Sequence, residues 1–515
     1  MSGIRPTRRS LITGAGALSL AACSRRSGAP DGLLRAAISG EPDSLDPLKG
    51  QFAVSALMYK QLHAPLTEYG PAGGLAPGLA EGWFSEDGRL WTFRLRSGLR
   101  WSDGASLTAD DIVWTARRAV DPRTGFADLG DFFAVSGARA ALRGEIAPED
   151  IGVSAPDAFT VVFRFDQPVG NFPVLMREFY PLPRHAVEAQ PEDWIRPEHW
   201  VSAGPYTLTG ARALSYELTR NANFHAADSV TIEQVRVDVI EDAATRARLF
   251  RAGDLDLADR PPGDQIGFLR ERLGDQLHAY PAPILTYLKV NCLRPHLADP
   301  RVRRALSQAI DRTFLNAQFF NGEAAETLTA IPADTLVGEA DPDGARAALA
   351  AAGFNEENPL RLSLRASSGE RERLAVSIGE DLRRAGVVCE IISSYPLDLH
   401  QAVDGGDYDL ALARFDRGLK ADPDFMVQPF AIDGFADDHG WSGAERDAFD
   451  QLVMTARGEL DIERRSELHR QAEARLLNAQ AVIPLIHERA YWMISGRVAA
   501  PTSLQPQLWR DLGLE

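Results

Sequence analysis

Hydrophobic and polar residues alternate along short stretches in the first half of the chain. In LWTFRL (90–95), Trp91, Phe93 and Leu95 alternate with polar side chains, and a Ser-Gly pair follows. Alternation with a period of two is typical of a strand with one buried face, so this stretch predicts a half-buried strand leading into a hairpin. A second alternating pair, YTLTG and LSYELTR within residues 206–220, predicts two more strands.

Elsewhere the apolar residues recur with the period of a helix. Thr108 lies three residues before Asp111, the spacing of a capping box, and predicts a helix that starts there. Asp299 followed by proline predicts another helix start. A third, long helix is predicted from about Asp461 to Ala479.

Two segments combine both patterns. VRVDVI (235–240) precedes a helical stretch that Gly253 ends before DLDLA, and LRLSLRA (360–366) precedes one that Gly386 ends before VVCEII. Glycine readily adopts the left-handed conformation that closes a helix. Strands that alternate with helices of this length predict parallel pairing through crossovers, and therefore an α/β fold.

Composition limits the class of protein. The chain has 515 residues, 45% of them hydrophobic, and a formal net charge of -17. Its length predicts two to four globular domains. Nucleic acid is not an expected partner, because phosphate binding needs a basic surface.

The N-terminus has the pattern of an export signal. Arg8 and Arg9 precede an uncharged run, 11–22, which is too short to span a bilayer. Leu-Ala-Ala-Cys23 resembles a lipobox, and the segment around the two arginines resembles a twin-arginine signal. We expect residues 1–22 to be removed and Cys23 to carry lipid that anchors the protein in the cell envelope, on the periplasmic side.

The remaining cysteines, Cys292 and Cys389, allow two interpretations. They could form a disulfide in an oxidising compartment. Both also lie in apolar runs, where a free cysteine behaves as a small hydrophobic residue, and we favour free thiols.

Signatures of an exported enzyme are absent from the sequence. There is no Gly-x-Ser-x-Gly elbow, none of the four lysines completes a Ser-x-x-Lys motif, and His487-Glu488 lacks a second histidine for zinc. We therefore expect no enzymatic activity, no cofactor and no metal. An envelope hydrolase with a site built from scattered residues is the alternative.

Several longer blocks resemble one family. They are EPDSLDPLKG (41–50), the stretch from LAPGLAEGW to RRAVDP (75–122), GPYTLT (204–209) and VNCLRPHLADPRVRRALSQAIDR (290–312). In this order they resemble the family 5 extracellular solute-binding proteins, which include the oligopeptide- and dipeptide-binding proteins of ABC importers. The resemblance covers nearly all of residues 33–495.

The resemblance implies a bilobal, periplasmic-binding-protein-like α/β fold of type II, with two lobes joined by hinge strands. Lobe I would comprise 31–52, 185–272 and 483–515, an extra domain II would comprise 53–184, and lobe III would comprise 273–482. A small-molecule or peptide ligand would bind between the lobes of a monomer. The closed form would then be recognised by the permease subunits of an ABC transporter.

The resemblance also implies where the ligand binds. In peptide-binding members an acid shortly before an Asp-Pro or Glu-Pro pair anchors the ligand's α-amino group, whereas here Leu419 or Lys420 falls at that place. A lysine would repel an ammonium group and attract a carboxylate. Peptide specificity is therefore open, because the same scaffold also carries nickel complexes, opines, sugars and other solutes. The expected ligand-binding residues are Phe52, Ala53, Tyr287, Arg414, Phe415, Asp416 and Lys420.

The alternative for Arg414 and Lys420 is that they are solvated loop charges. If both lie in the pocket, they place two cations against one nearby acid, Asp416, which favours a ligand that carries a carboxylate or phosphate-like group.

Overall fold

The structure is a computed structural model. It describes residues 32–70, 73–124, 134–332, 337–420, 422–432, 434, 436–437, 439–501 and 505–515. The predicted signal peptide (1–22), the twin-arginine segment and the lipid-bearing Cys23 lie outside the described residues.

The chain forms strands and helices along its whole described length. The strands are β1 Leu33–Ile38, β2 Thr67–Tyr69, β3 Leu75–Pro77, β4 Ala80–Phe84, β5 Leu90–Leu95, β6 Val153–Asp157, β7 Thr160–Arg164, β8 Tyr206–Arg212, β9 Ser215–Arg220, β10 Gln234–Val239, β11 Leu257–Asp259, β12 Leu277–Val290, β13 Ala325–Glu326, β14 Arg361–Ser367, β15 Val388–Ser394, β16 Leu410–Asp416, β17 Val482–Ile494, β18 Val498–Ala499 and β19 Gly513–Leu514. The helices are α1 Ala53–Leu62, α2 Ala109–Val120, α3 Ala138–Leu142, α4 Phe172–Leu175, α5 Arg184–Ala189, α6 Ala243–Ala252, α7 Ile266–Leu273, α8 Pro300–Ala309, α9 Arg312–Phe319, α10 Pro342–Ala351, α11 Glu370–Arg384, α12 Pro396–Asp404, α13 Pro423–Val427, α14 Ala444–Gly458 and α15 Ile462–Ala479.

The predicted helix starts are confirmed. The Asp111 carboxylate accepts a hydrogen bond from the backbone N–H of Thr108 at 2.9 Å, at the start of α2. Asp299 accepts one from the backbone N–H of Arg301 at 2.8 Å, at the start of α8. Each carboxylate satisfies a backbone donor that has no partner within the helix.

The alternating stretch at 90–95 is confirmed as strand β5, with Trp91, Phe93 and Leu95 buried. The prediction that β5 leads into a hairpin through the Ser-Gly turn is wrong. β5 pairs with β4 before it and with β7 after it, and within the described residues no strand pairs with β5 directly after the Ser-Gly turn. β8 and β9 form the second predicted pair.

Most strands belong to one sheet with the order β15-β14-β16-β12-β17-β11-β1-β10-β9-β8. Both predicted strand-helix-strand units are parallel. β10 and β11 lie on either side of β1, and β14 lies next to β15. The half that contains β1 and β8 to β11 is called the first lobe, and the half that contains β14 to β16 is called the second lobe.

β12 and β17 connect the two lobes. They pair over most of their length, and the register shifts twice, between Pro281 and Leu285 and again between Thr286 and Tyr287. At the larger shift, four steps on β12 match two steps on β17, from Arg489 to His487, so the ladder is interrupted there. A break in a two-strand connection is the place where a hinge rotation disturbs the fewest hydrogen bonds.

A separate antiparallel sheet, β4-β5-β7-β6, lies under α2. The following segment, 165–180, packs on it, with the rings of Phe163 and Phe172 4.9 Å apart. The sheet, α2 and this segment are called the small-sheet domain. It contacts the second lobe directly: the backbone N–H of Gly170 donates to the carbonyl of Arg457 at 2.6 Å, and Asn171 donates to Asp424 at 2.7 Å.

Replacing Gly170 with alanine is expected to destabilise this contact. An added Cβ would lie 1.9 Å from the carbonyl oxygen of Glu459, which is backbone and cannot rotate away. We expect a loss of about 1–3 kcal/mol in the free energy of unfolding, measured by urea denaturation. Gly82→Ala is the matched control, since its Cβ would meet nothing within 4 Å. Equal stability of the two variants would contradict the contact.

Cys292 and Cys389 are free, as favoured. Burial raises the pKa of the Cys389 thiol to about 12, so this thiol stays protonated and unreactive at neutral pH.

A buried histidine makes stability depend on pH. His63 is 1% exposed and lies among the rings of Tyr59, Tyr180 and Trp200; burial lowers its pKa to about 4. Because the unfolded chain takes up a proton near pH 6.5 and the folded chain does not, stability is lost as pH falls from about 6.5 towards 4. We expect His63 to contribute a loss of about 2 kcal/mol between pH 7 and pH 5.

Urea denaturation at the two pH values checks this expectation. His63→Gln should remove the His63 share of the pH dependence. The same slope in this variant and in the wild-type protein would contradict the assignment.

Candidate functional site

A cavity of about 870 Å³ lies where the first lobe, the small-sheet domain and the second lobe meet, against β12 and β17. Its wall includes Phe52 and Ala53 at the start of α1, Thr286 and Glu488 on the connecting strands, and Arg414, Asp416 and Lys420 on and after β16. Five of the expected ligand-binding residues, Phe52, Ala53, Arg414, Asp416 and Lys420, therefore line one cavity.

Tyr287 and Phe415 do not line this cavity. Both are buried in the core of the second lobe, where their rings are 5.8 Å apart and each lies close to Phe430. Side chains alternate between the two faces of a strand. Thr286 and Arg414 therefore face the cavity, and their neighbours Tyr287 and Phe415 pack behind it.

Arg414 already has acidic partners. Its Nε lies 3.0 Å from Glu488 Oε2, and a terminal nitrogen lies 3.6 Å from Asp416. The Thr286 hydroxyl also donates to Glu488. The expected balance of two cations against one acid is therefore wrong, because β17 brings Glu488 to Arg414. No pattern in the sequence predicts that Glu488 lies beside β16.

Arg371, in the first turn of α11, is a cation that the sequence gave no reason to select. It lines the cavity, and burial lowers its pKa; repulsion from Arg414 adds to this shift, while attraction to Glu488 and Glu370 opposes it. Among the described residues its guanidinium has no hydrogen-bond acceptor and no carboxylate within 4 Å. A half-buried cation of this kind is costly unless a ligand supplies the anion.

Lys420 lies beside a second charge cluster, on the small-sheet side of the cavity. Lys60 Nζ is 3.7 Å from Glu178, and the Tyr69 hydroxyl donates to Glu178 at 2.7 Å. Burial alone would raise the pKa of Glu178, but Lys60, Lys420 and the Tyr69 hydroxyl outweigh it and hold that pKa at about 2. Glu178 is therefore ionised.

The Lys420 ammonium itself makes no hydrogen bond and no ion pair within 4 Å in the described part of the chain. It lies 5.6 Å from the centre of the Phe425 ring. Burial lowers its pKa, and attraction to Glu178 opposes this shift. Lys420 is thus a half-buried cation on the cavity wall. Its position suits an incoming anionic group.

Among the described residues, cations outnumber acids on the cavity wall, although the protein as a whole is acidic. The cations are Lys60, Arg260, Arg371, Arg414, Arg417, Lys420 and Arg489, and the acids are Glu178, Asp259, Glu370, Asp416 and Glu488. A concave site that carries an excess of one charge concentrates ligands of the opposite charge. The geometry therefore favours an anionic ligand.

The described residues include no group of three or more His, Cys, Asp or Glu side chains placed to hold a metal ion. In the same part of the chain, no helix combines the length and the apolar character that crossing a membrane requires.

The chain matches a described protein family over most of its length. Residues 74–437 match the bacterial extracellular solute-binding proteins, family 5. The periplasmic murein peptide-binding protein MppA of Escherichia coli is 26% identical over 484 residues, covering 90% of this chain and 88% of that protein. The probable deoxycholate-binding periplasmic protein YgiS of Escherichia coli is 28% identical over 486 residues, with 89% of each covered.

Solved structures show the same fold. The unliganded open form of MppA has a TM-score of 0.82 at 23% identity and covers 94% of this chain and 98% of that one. OppA of Haemophilus influenzae, in complex with the peptide RPPGFSPFR, has a TM-score of 0.73 at 22% identity and covers 94% and 99%. The bilobal α/β architecture is therefore confirmed.

Proposed function

The chain belongs to the bacterial extracellular solute-binding proteins of family 5, and from this membership we propose that it captures an acidic peptide or peptide-like solute between its lobes and delivers it to the permease of an ABC importer. The acidic character of the solute is inferred from Lys420, a half-buried ammonium on the cavity wall without an anion within 4 Å among the described residues. Arg371 supports the same conclusion.

Two relatives support the proposed solute class. MppA is described as a murein peptide-binding protein and OppA of Escherichia coli as an oligopeptide-binding protein. YgiS, a relative of similar identity, is described as a probable deoxycholate-binding periplasmic protein. We therefore propose a peptide-like solute. The names of the relatives do not determine how much apolar surface this solute carries; the residues that line the site do.

Capture is proposed to depend on closure. The break in the pairing of β12 with β17 supports a hinge at 281–285 and 487–489. The division into lobe I (31–52, 185–272, 483–515), domain II (53–184) and lobe III (273–482) remains a prediction. Closure around a solute in the cavity would bring the wall residues of both lobes onto it.

Incubation of the mature domain with a mixture of short peptides tests the function. Stoichiometric capture without turnover is expected, together with a rise in melting temperature. A Kd of about 1 μM corresponds to about 8 kcal/mol, and a hundredfold excess over Kd adds about 2.7 kcal/mol to the stability. Steady hydrolysis would instead support an envelope hydrolase, an alternative that the family match does not favour.

We propose that lipid on Cys23 holds the protein at the membrane, on the periplasmic side where relatives such as MppA are located. Cys23→Ala should release the protein into the soluble fraction of the envelope, because acyl chains contribute about 0.8 kcal/mol per buried methylene. Fractionation after a high-salt wash measures this, with Cys292→Ala as the control. Retention of the Cys23 variant on membranes would contradict the anchor. The twin-arginine route and the monomeric state stay predictions.

A further inference from the structure

A second cavity, of about 1490 Å³, lies between the small-sheet domain and the second lobe. It shares Glu178, Arg417 and Lys420 with the first cavity. The two cavities therefore meet at Lys420. A ligand whose anionic group lies at this lysine has room on both sides of it.

Part of the wall of the second cavity is apolar. Leu175 and Phe179 form it on the small-sheet side, and Ile432, Val453 and Met454 form it on the second lobe. Ile432 is 60% exposed and Met454 is 48% exposed. Large apolar side chains that face a concave space are characteristic of sites for apolar ligand groups.

Three of the acidic residues that line this cavity already have partners within the protein. Asp450 pairs with Arg446 at 2.6 Å, Glu459 pairs with Arg464 at 3.1 Å, and Asp166 accepts a hydrogen bond from Ser136. These three acids do not require a cationic ligand. Among the described residues, Lys420 at the junction is a cation that an anionic ligand group can match.

Polar contacts between the two sides fix the width of the second cavity. Arg177 of the small-sheet domain lies 2.7 Å from Asp422, and Asn171 lies 2.7 Å from Asp424. The apolar walls are therefore held at a defined spacing next to Lys420.

We infer that the solute is an acidic amphiphile whose anionic group binds at Lys420 and whose apolar body continues into the second cavity. The inference rests on the proposed function and narrows its solute class. It requires a carboxylate, or a group of similar charge, beside an extended apolar segment. The first cavity then holds the polar, peptide-like remainder.

Peptide-like probes with one carboxylate and different apolar lengths test the inference. N-acetylglycine and N-octanoylglycine differ by six methylenes, and N-octanoylglycine amide lacks the charge. By isothermal titration calorimetry we expect N-octanoylglycine to bind at least roughly tenfold more tightly than N-acetylglycine, because its chain is buried in the second cavity. The uncharged amide should bind at least roughly tenfold more weakly than the acid.

The double variant Ile432→Gln, Met454→Gln separates the second cavity from the first. Both residues are exposed, so the substitutions should not affect folding. The octanoyl gain should fall below about threefold in this variant, while the affinity for N-acetylglycine stays unchanged. Leu397→Gln with Ile462→Gln is the matched control, since both are exposed apolar residues outside the two cavities, and it should keep the full gain.

The outcomes separate this inference from the proposed function. If short peptides are captured and the octanoyl chain adds nothing, the amphiphile inference falls and the proposed function stands. If the gain persists in the double variant, the apolar body binds elsewhere and the inference also falls. If neither peptides nor acylglycines are captured, both fail.

Discussion

Replacing Lys420 with methionine is expected to weaken the binding of an acidic peptide-like solute by more than tenfold, while the melting temperature of the empty protein stays nearly unchanged. The ammonium has no anion within 4 Å among the described residues, so its removal breaks no ion pair of the protein. A bound anion, in contrast, would lose a charge-assisted hydrogen bond in a desolvated place.

Titration calorimetry at two salt concentrations measures this effect. Lys49→Met is the matched control, because Lys49 is exposed and lies outside the cavity. The Lys420 variant should also lose part of the salt dependence of binding, since fewer opposite charges meet. An unchanged affinity would mean that Lys420 does not touch the solute.

Replacing Glu178 with glutamine should have two effects of opposite sign. Lys60 loses its partner at 3.7 Å, and Lys420 loses the attraction of the Glu178 carboxylate. Removing one partner of a buried ion pair typically costs 3–5 kcal/mol, and because Glu178 is half-buried we expect a loss of about 3 kcal/mol in the stability of the empty protein. The affinity for an acidic solute should rise, because the lysines then attract the solute alone.

Tyr69→Phe is the control for Glu178. It removes the hydrogen bond of 2.7 Å to the carboxylate but leaves the charge in place. Its stability loss should be about 1 kcal/mol, with no gain in affinity for the acidic solute. If Glu178→Gln weakened the binding of that solute, the cluster would be holding a cationic group of the ligand instead.

Much of the fold followed from local patterns in the sequence. The alternation at 90–95 identified β5, and Asp111 and Asp299 identified helix starts, because each signal depends on neighbouring residues alone. The strands that pair with β5 could not be predicted from these local patterns. Strand pairing depends on residues far away in the chain, and the turn after β5 gave no information about β4 or β7.

The candidate site was predicted only in part, because its residues come from segments far apart in the chain. Arg414, Asp416 and Lys420 belong to one segment, and the resemblance pointed to that segment. Glu488 and Glu178 come from β17 and from the small-sheet domain, so only the folded chain brings them next to this segment.

Two of the expected ligand-binding residues, Phe415 and Tyr287, lie on the strand faces that point away from the cavity. Phe415 stands between Arg414 and Asp416 on β16, so it must face the opposite side of the sheet. Tyr287 stands in the same relation to Thr286 on β12. The pattern of the strands could have separated these residues from the cavity, had the extent of each strand been known.

Mass spectrometry of the solute that co-purifies with the wild-type protein would identify the ligand. We expect one intact solute per protein molecule, with a carboxylate or phosphate-like group and an extended apolar segment, and we expect the Lys420→Met variant to lose it. A bound peptide that places a free amine against Asp416, with equal occupancy in the Lys420→Met variant, would contradict this expectation.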